Sequence, residues 1–129
     1  MKRKLILVVD DEPAILMTAA AILDMQGYRT ATARDGAAAL ERALEIKPDL
    51  VLSDVVMPRM NGVQLAIELK QKLPSTAVLL FSGNAATAEI IEIARTQGHE
   101  FNILAKPVPM DELLAAVKSS LNAQAAGAS

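Results

Sequence analysis

The feature that most constrains the fold is an alternation, repeated five times, of a short apolar run with a longer segment of helical periodicity. Runs such as Leu5–Val9 are continuous and partly β-branched, which is typical of strands buried on both faces. The predicted strands are β1 Lys4–Asp10, β2 Tyr28–Ala33, β3 Asp49–Asp54, β4 Thr76–Ser82 and β5 Phe101–Ala105. The predicted helices are α1 from Glu12-Pro13 to a cap at Gly27, α2 from Asp35-Gly36 to Ile46, α3 Val63–Leu73, α4 Thr87–Thr96 and α5 from Pro109 to Leu121. The pair Asn61-Gly62 predicts a turn, in which Asn61 is also a candidate N-cap for α3.

Strands that alternate with helices of this length predict an α/β fold. We expect a doubly wound five-stranded parallel sheet, covered by helices on both faces and connected by right-handed crossovers. Sheets of this kind commonly take the strand order 2-1-3-4-5, and their ligand crevice lies where β1 and β3 meet. The weak alternation of β2 marks it as the edge strand.

Composition favours one globular domain and excludes several kinds of site. The chain has 129 residues, of which 52% are apolar, and we expect a domain over residues 1–123 followed by a flexible tail over 124–129. A net charge of -2 gives no support for direct nucleic-acid binding. The absence of Cys excludes disulfides, thiolate catalysis and Cys-based zinc sites. No apolar run approaches the length of about 18 residues that spans a membrane, and Leu5–Val9 is too short for a signal peptide, so we expect a cytoplasmic location.

Four of the five predicted strands end on, or are directly followed by, polar or charged side chains. They are Asp10 and Asp11 at the end of β1, Asp54 at the end of β3, Ser82 at the end of β4 and Lys106 directly after β5. The carboxyl ends of parallel strands meet at one edge of the sheet, and neighbouring strands lie about 4.8 Å apart. We therefore expect Asp54 to share a cation with Asp10 and Asp11. Ser82 lies one strand from Asp54, and the long side chain of Lys106 covers most of a separation of roughly 10 Å.

These residue types together indicate a site for a phosphoryl group. Three carboxylates close together repel one another, and an oxygen-only cluster with room for water suits Mg²⁺ better than Zn²⁺. A hard cation that faces an ammonium and a hydroxyl neutralises phosphoryl oxygens, and a carboxylate can itself accept the phosphoryl group. Each residue alone has a plainer explanation, since the acids could cap α1, Ser82 could be a loop serine and Lys106 a solvated lysine. Their coincidence at one edge favours the phosphoryl site.

Four segments, VVDDEP, LVLSDVVMPRMNG, FSGN and LAKPV, resemble the receiver domain of two-component response regulators, of the stand-alone, chemotaxis-regulator-like kind. The resemblance extends over about Lys4–Leu121 and implies a flavodoxin-like (βα)5 fold. It also implies that Asp54 is the phosphoacceptor, Ser82 the switch hydroxyl and Lys106 the lysine that pairs with the phosphoryl group. The Mg²⁺ ligands that it implies are Asp10, Asp11, Asp54 and the backbone carbonyl of Val56.

The same resemblance implies a signalling role and a set of partners. A histidine kinase or a histidine phosphotransfer protein presents a phosphohistidine, and Asp54 takes its phosphoryl group. The face formed by α4, β5 and α5 then changes to control a downstream protein partner or output domain. The chain is in this case a regulator, with only self-phosphotransfer and slow autodephosphorylation, and not an enzyme. It contacts neither membrane nor nucleic acid, and a weak homodimer through α4 and α5 stays open.

One position departs from the family pattern, and three other functions compete with the receiver. Many receivers carry Tyr or Phe three residues before the lysine, whereas this chain has Ile103, so an aromatic switch partner is not predicted. A hydrolase with an aspartyl nucleophile would have a second acid where this chain has Val56. A flavin-binding domain would replace Asp10–Pro13 with a neutral, glycine-rich phosphate loop. The main alternative is a docking module that keeps the receiver fold but signals without phosphorylation.

Overall fold

A computed structural model describes residues 3–57, 60–82, 92–93, 95–96, 98, 102–105 and 109–127 of the chain. Its strands are β1 Leu5–Val9, β2 Arg29–Ala33, β3 Leu50–Asp54, β4 Ala77–Ser82 and β5 Asn102–Ala105. Its helices include α1 Pro13–Met25, α2 Gly36–Ile46, α3 Gly62–Lys72 and α5 Met110–Gly127. Within the predicted α4, residues 92–93 and 95–96 are helical, and the remainder lies outside the described residues. Among the helices described, none has the length and apolar character needed to cross a membrane.

The five strands form one sheet in the order β2-β1-β3-β4-β5, and every neighbouring pair is parallel. The predicted fold class, strand order and edge position of β2 are confirmed. At the centre of β1, Leu7 pairs with Ala31 of β2 on one side and with Val51 of β3 on the other. Because β1 and β3 are neighbours, the acids that follow them come together at the same edge of the sheet.

Helices cover both faces of this sheet, which explains why its strand sequences are continuous apolar runs. Successive residues of β1 point into opposite layers, since Ile6 and Val8 pack under α1 and α5 whereas Leu7 and Val9 pack under α2 and α3. The first layer contains Leu16 and Leu23 of α1 with Leu113 and Val117 of α5. The second contains Ala39 and Ala43 of α2 with Leu65 and Leu69 of α3. Both layers support the edge at which the acids lie.

The loop after β3 ends at a capped helix start. Asn61 Oδ1 accepts a hydrogen bond from the Gln64 backbone N–H at 2.8 Å, and Gln64 Oε1 accepts one from the Asn61 N–H at 2.9 Å. This reciprocal capping box satisfies two backbone donors at once and confirms the predicted cap at Asn61. Gly62 is therefore the first residue of α3, not only part of a turn.

The predicted end of the last helix is wrong. Apolar periodicity stops at Leu121, but α5 continues to Gly127, so that 124–127 is helical where a flexible tail was expected. Lost periodicity reports only that a segment stops packing against the core. The sequence from Asn122 to Gly127 is rich in Ala, the residue with the highest helix propensity, and each added residue extends an existing helix without a new nucleus. The domain boundary at residue 123 remains a prediction.

Candidate functional site

Three carboxylates meet where β1 and β3 end. Asp10 directly follows β1, Asp11 is the next residue, and Asp54 is the last residue of β3. One carboxylate oxygen from each of the three lies within 4.8 Å of the others. Asp10 and Asp54 are 2% and 9% exposed, and Asp11 is exposed. The cluster expected from the sequence is therefore present. Asp10 and Asp54 form its buried base, and Asp11 lies at its exposed rim.

The backbone around Asp10 explains why its side chain points into this edge. Its N–H donates to the Ala33 carbonyl oxygen of β2 at 3.2 Å, so the sheet ladder continues one residue beyond β1. Its Oδ1 accepts the Glu12 N–H at 2.9 Å, which closes a tight turn into α1. The N-cap residue of α1 is Glu12, and its own side chain forms no cap hydrogen bond. Asp10 therefore contributes to the turn into α1 and also belongs to the acidic cluster.

Asp54 is held by hydrogen bonds to its side chain and to the peptide that follows it. Its Oδ1 accepts the Val56 N–H at 3.2 Å, and the next peptide is anchored to β4 because the Val55 N–H donates to the Phe81 carbonyl oxygen at 3.0 Å. The chain then turns back, and the Gly62 N–H donates to the Val55 carbonyl oxygen at 2.8 Å. The loop after β3 is therefore tied to the start of α3 directly behind the carboxylate.

Gly62 has a role that the sequence did not reveal. A β-carbon at this position would lie 2.9 Å from Val55 Cα and still closer to the Asp54 carbonyl oxygen. The helix can start this close to the acid only because its first residue has no side chain. The Asn-Gly pair predicted a turn and a cap, and nothing in it predicted a contact with the strand end.

The remaining two site residues are known only through the backbone register. Ser82 ends β4, one residue beyond the Asp54–Phe81 pair, and is paired with Ala105, the last residue of β5. Lys106 follows Ala105 in the chain but lies outside the described residues. The strand ends thus follow the predicted sequence of β1, β3, β4 and β5 across the edge. The roles of Ser82 and Lys106 stay predictions.

Ile103 fills its position with aliphatic packing. It is partly buried against Val55, Val63 and Leu80, a small cluster directly below the loop after β3. The aromatic residue two positions earlier, Phe101, lies outside the described residues. The position at which many receivers carry an aromatic ring is therefore part of the core under α3 in this chain.

The chemistry open to this edge follows from its ligand atoms. Three carboxylates carry up to three negative charges within a few ångström of one another, and a divalent cation would relieve their repulsion. The donors are hard oxygens with an exposed member at the rim, an arrangement that leaves room for water and suits Mg²⁺. Asp54 is largely buried but keeps 9% of its surface exposed to solvent at this edge.

Comparison with known proteins agrees with this geometry. The sequence model of the family described as response regulator receiver domain matches residues 6–118. The chain is 34% identical over 120 residues to the transcriptional regulatory protein GlrR of Escherichia coli K12, a match that covers 93% of this chain and 27% of that regulator. It is 33% identical over 124 residues to the transcriptional regulatory protein KdpE of Mycobacterium tuberculosis, with 96% and 54% covered.

Solved structures give the same result. The signal receiver domain of an HD domain-containing protein from Pseudomonas fluorescens Pf-5 superposes with a TM-score of 0.88 at 32% identity, covering 97% of this chain and 99% of that one. A chemotaxis protein of Vibrio cholerae, CheY4, superposes with a TM-score of 0.78 at 27% identity, covering 92% and 99%. The chain spans between about a quarter and about half of the curated regulators named above.

Proposed function

The chain belongs to the response regulator receiver domain family, and on this premise we propose that it accepts a phosphoryl group on Asp54. The donor is a histidine kinase or a histidine phosphotransfer protein that presents a phosphohistidine at the cluster edge. The observation that carries the proposal is the position of Asp54, which is 9% exposed and has a carboxylate oxygen within 4.8 Å of two further acids at the carboxyl edge of the sheet. The cytoplasmic location expected from the sequence is part of the same proposal.

We assign Mg²⁺ to the three carboxylates Asp10, Asp11 and Asp54, together with the backbone carbonyl of Val56. The hard oxygen donors and the exposed rim support this assignment. When bound, the ion neutralises negative charge on the phosphoryl oxygens and on the acids around them. The chain's own contribution is to hold Asp54 in place through the Val56 N–H and to keep Asp10 directed inward through the Glu12 N–H.

The transfer itself is a displacement at phosphorus. A carboxylate oxygen of Asp54 forms a bond to phosphorus while the bond to the donor's imidazole nitrogen breaks, and the electron pair stays on that nitrogen. Lys106 balances the charge of the phosphoryl oxygens and Ser82 donates a hydrogen bond to one of them. Attack of water at phosphorus later releases inorganic phosphate and regenerates the carboxylate. We propose only this self-phosphotransfer and slow autodephosphorylation, and the apolar Val56, 43% exposed, offers no acid for rapid turnover.

The signalling output follows from the negative charge that the phosphoryl group adds at Asp54. The new phosphoryl oxygens draw the Ser82 hydroxyl inward and shift the face made by α4, β5 and α5, which controls a protein partner or an output domain. Ile103 packs into the core below the loop after β3, so this switch operates without an aromatic ring at that position.

The direct test is intact-mass spectrometry after incubation with phosphoramidate or acetyl phosphate. We expect one phosphoryl adduct, stable in acid and lost in base, that forms at least about tenfold faster with Mg²⁺ than with EDTA, because charge stabilisation by a metal contributes several kcal/mol. Adduct formation at the same rate with Mg²⁺ and with EDTA would contradict the metal assignment. No adduct on folded protein would favour the phosphorylation-independent docking module.

The metal ligands can be tested separately with the Asp11→Asn variant. We expect its Mg²⁺ dissociation constant, measured by isothermal titration calorimetry, to rise about tenfold or more, since one of three anionic ligands becomes neutral. Glu12→Gln is the matched control, because it removes the same charge from the adjacent exposed residue, which is not a member of the cluster. Equal weakening by the two variants would mean that the ion responds only to the local charge and that Asp11 is not a ligand.

A further inference from the structure

We infer that Ser53 is a positioning residue for the phosphoacceptor, an inference that rests on the proposed function of Asp54. Ser53 is fully buried in the middle of the sheet, where its Cα is paired with Val9 of β1 and Leu80 of β4. Its side chain shares a face with Val51, in the apolar layer under α2 and α3. A hydroxyl in such a place costs free energy unless it forms a hydrogen bond.

The hydroxyl of Ser53 donates a hydrogen bond to the backbone of Asp54. Oγ donates to the Asp54 carbonyl oxygen at 2.9 Å, and the Met57 sulfur lies 3.9 Å from the same Oγ. The serine therefore contacts both the first and the last residue of the segment 54–57. This segment contains the acid and the Val56 carbonyl that we assign to Mg²⁺.

The peptide that joins Asp54 to Val55 is consequently restrained at each of its polar atoms. Its oxygen accepts from Ser53, and its N–H donates to the Phe81 carbonyl oxygen at 3.0 Å. Gly62 packs against the same oxygen from the side of α3. The orientation of this peptide plane influences the direction in which the Asp54 side chain leaves the backbone, so the Ser53 hydroxyl acts on the carboxylate through Cα and Cβ of Asp54.

If Ser53 only stabilises the fold, its replacement lowers the free energy of unfolding and leaves phosphoryl transfer to the folded protein unchanged. If Ser53 positions Asp54, its replacement also slows phosphoryl transfer to the folded protein. We expect Ser53→Ala to lower the maximal rate of uptake from phosphoramidate about tenfold and to weaken Mg²⁺ binding, the size typical of groups that orient a ligand. The half-saturating concentration of phosphoramidate stays unchanged, because the serine does not touch the donor. Ser53→Thr retains the hydroxyl and recovers most of the rate.

The matched control is Val51→Ala, a truncation at a fully buried residue on the same strand and the same face, two positions before Ser53. Its side chain has no hydroxyl with which to hold the Asp54 peptide, so this truncation should leave the maximal rate unchanged when the protein is folded. If Ser53→Ala is poorly folded, Ser53→Cys serves instead, since it nearly keeps the volume and offers only a weak donor. It too should show a reduced rate.

Two outcomes would overturn this inference but not the proposed function. One is phosphoryl uptake by Ser53→Ala and Ser53→Cys at the wild-type rate, and the other is an equal loss of uptake rate in Val51→Ala. Failure of the wild type to take up any phosphoryl group would overturn the proposed function, and this inference with it. The two failures are distinguishable because the first requires a phosphorylated wild type.

Discussion

The Asp54→Asn variant is expected to take up no phosphoryl group from phosphoramidate under conditions in which the wild type forms one adduct. The side-chain amide has nearly the shape of the carboxylate but lacks the anionic oxygen that would attack phosphorus. Its Oδ1 can still accept the Val56 N–H, the bond that Asp54 forms at 3.2 Å. One of three clustered negative charges is removed, so we expect the free energy of unfolding without metal to stay the same or to rise.

The control for this variant is Glu41→Gln, which removes the same charge from an exposed position on α2. It should leave uptake unchanged. Intact-mass spectrometry gives the stoichiometry, and a urea titration followed by circular dichroism establishes that both variants are folded. An undiminished adduct on Asp54→Asn would place the phosphoacceptor elsewhere and would remove the basis of the proposed function.

A second large effect is expected from Gly62→Ala, which we predict to lower the free energy of unfolding by about 3 kcal/mol or more. Helix propensity alone would favour Ala over Gly. The new β-carbon, however, would lie 2.9 Å from Val55 Cα and closer to the Asp54 carbonyl oxygen. Both are backbone atoms at the end of a central strand and cannot move aside without breaking the Val55–Phe81 and Gly62–Val55 hydrogen bonds, each of which crosses the site.

Gly27→Ala separates this steric effect from ordinary glycine strain. Gly27 has a φ of 92°, which disfavours other residues, but a β-carbon there would meet nothing within 4 Å. We expect it to cost about 1 kcal/mol, through the backbone conformation only, with phosphoryl uptake unchanged. Gly62→Ala should be clearly less stable in urea, and its folded fraction should take up phosphoryl groups more slowly. Equal stability of the two variants would show that the loop behind Asp54 has room to adjust.

Much of the fold could be predicted because its determinants are local or topological. Continuous runs such as Leu5–Val9 exist because both faces of each central strand are covered, and the observed layers under α1 with α5 and under α2 with α3 explain them. The strand order 2-1-3-4-5 is a common one for doubly wound sheets, and right-handed crossovers are the rule between parallel strands. Once β1 and β3 are neighbours, the meeting of Asp10, Asp11 and Asp54 follows from their positions at the strand ends.

Some helix ends were predicted correctly from the sequence, and the end of α5 was not. Asn61 and Gly27 carry chemistry that acts within one turn of the helix, and both behave as the sequence indicates. The end of α5 does not depend on such a residue. It continues to Gly127 because helix growth in an Ala-rich segment needs no tertiary contact, and apolar periodicity therefore marks where packing stops and not where the helix stops.

By itself, the sequence determined the alternation of elements and the identity of the acids at the strand ends, since these depend on periodicity and on which residue ends each strand. Only the tertiary structure decided how Asp54, the proposed phosphoacceptor, is supported. The Ser53 hydroxyl donates to its carbonyl oxygen, the start of α3 lies against the same oxygen, and Ile103 packs against the neighbouring Val55. Gly62 and Ile103 come to this place from other elements of the chain. Their distances to Asp54 are set by how helices and strands pack, and no local pattern of residues records that packing.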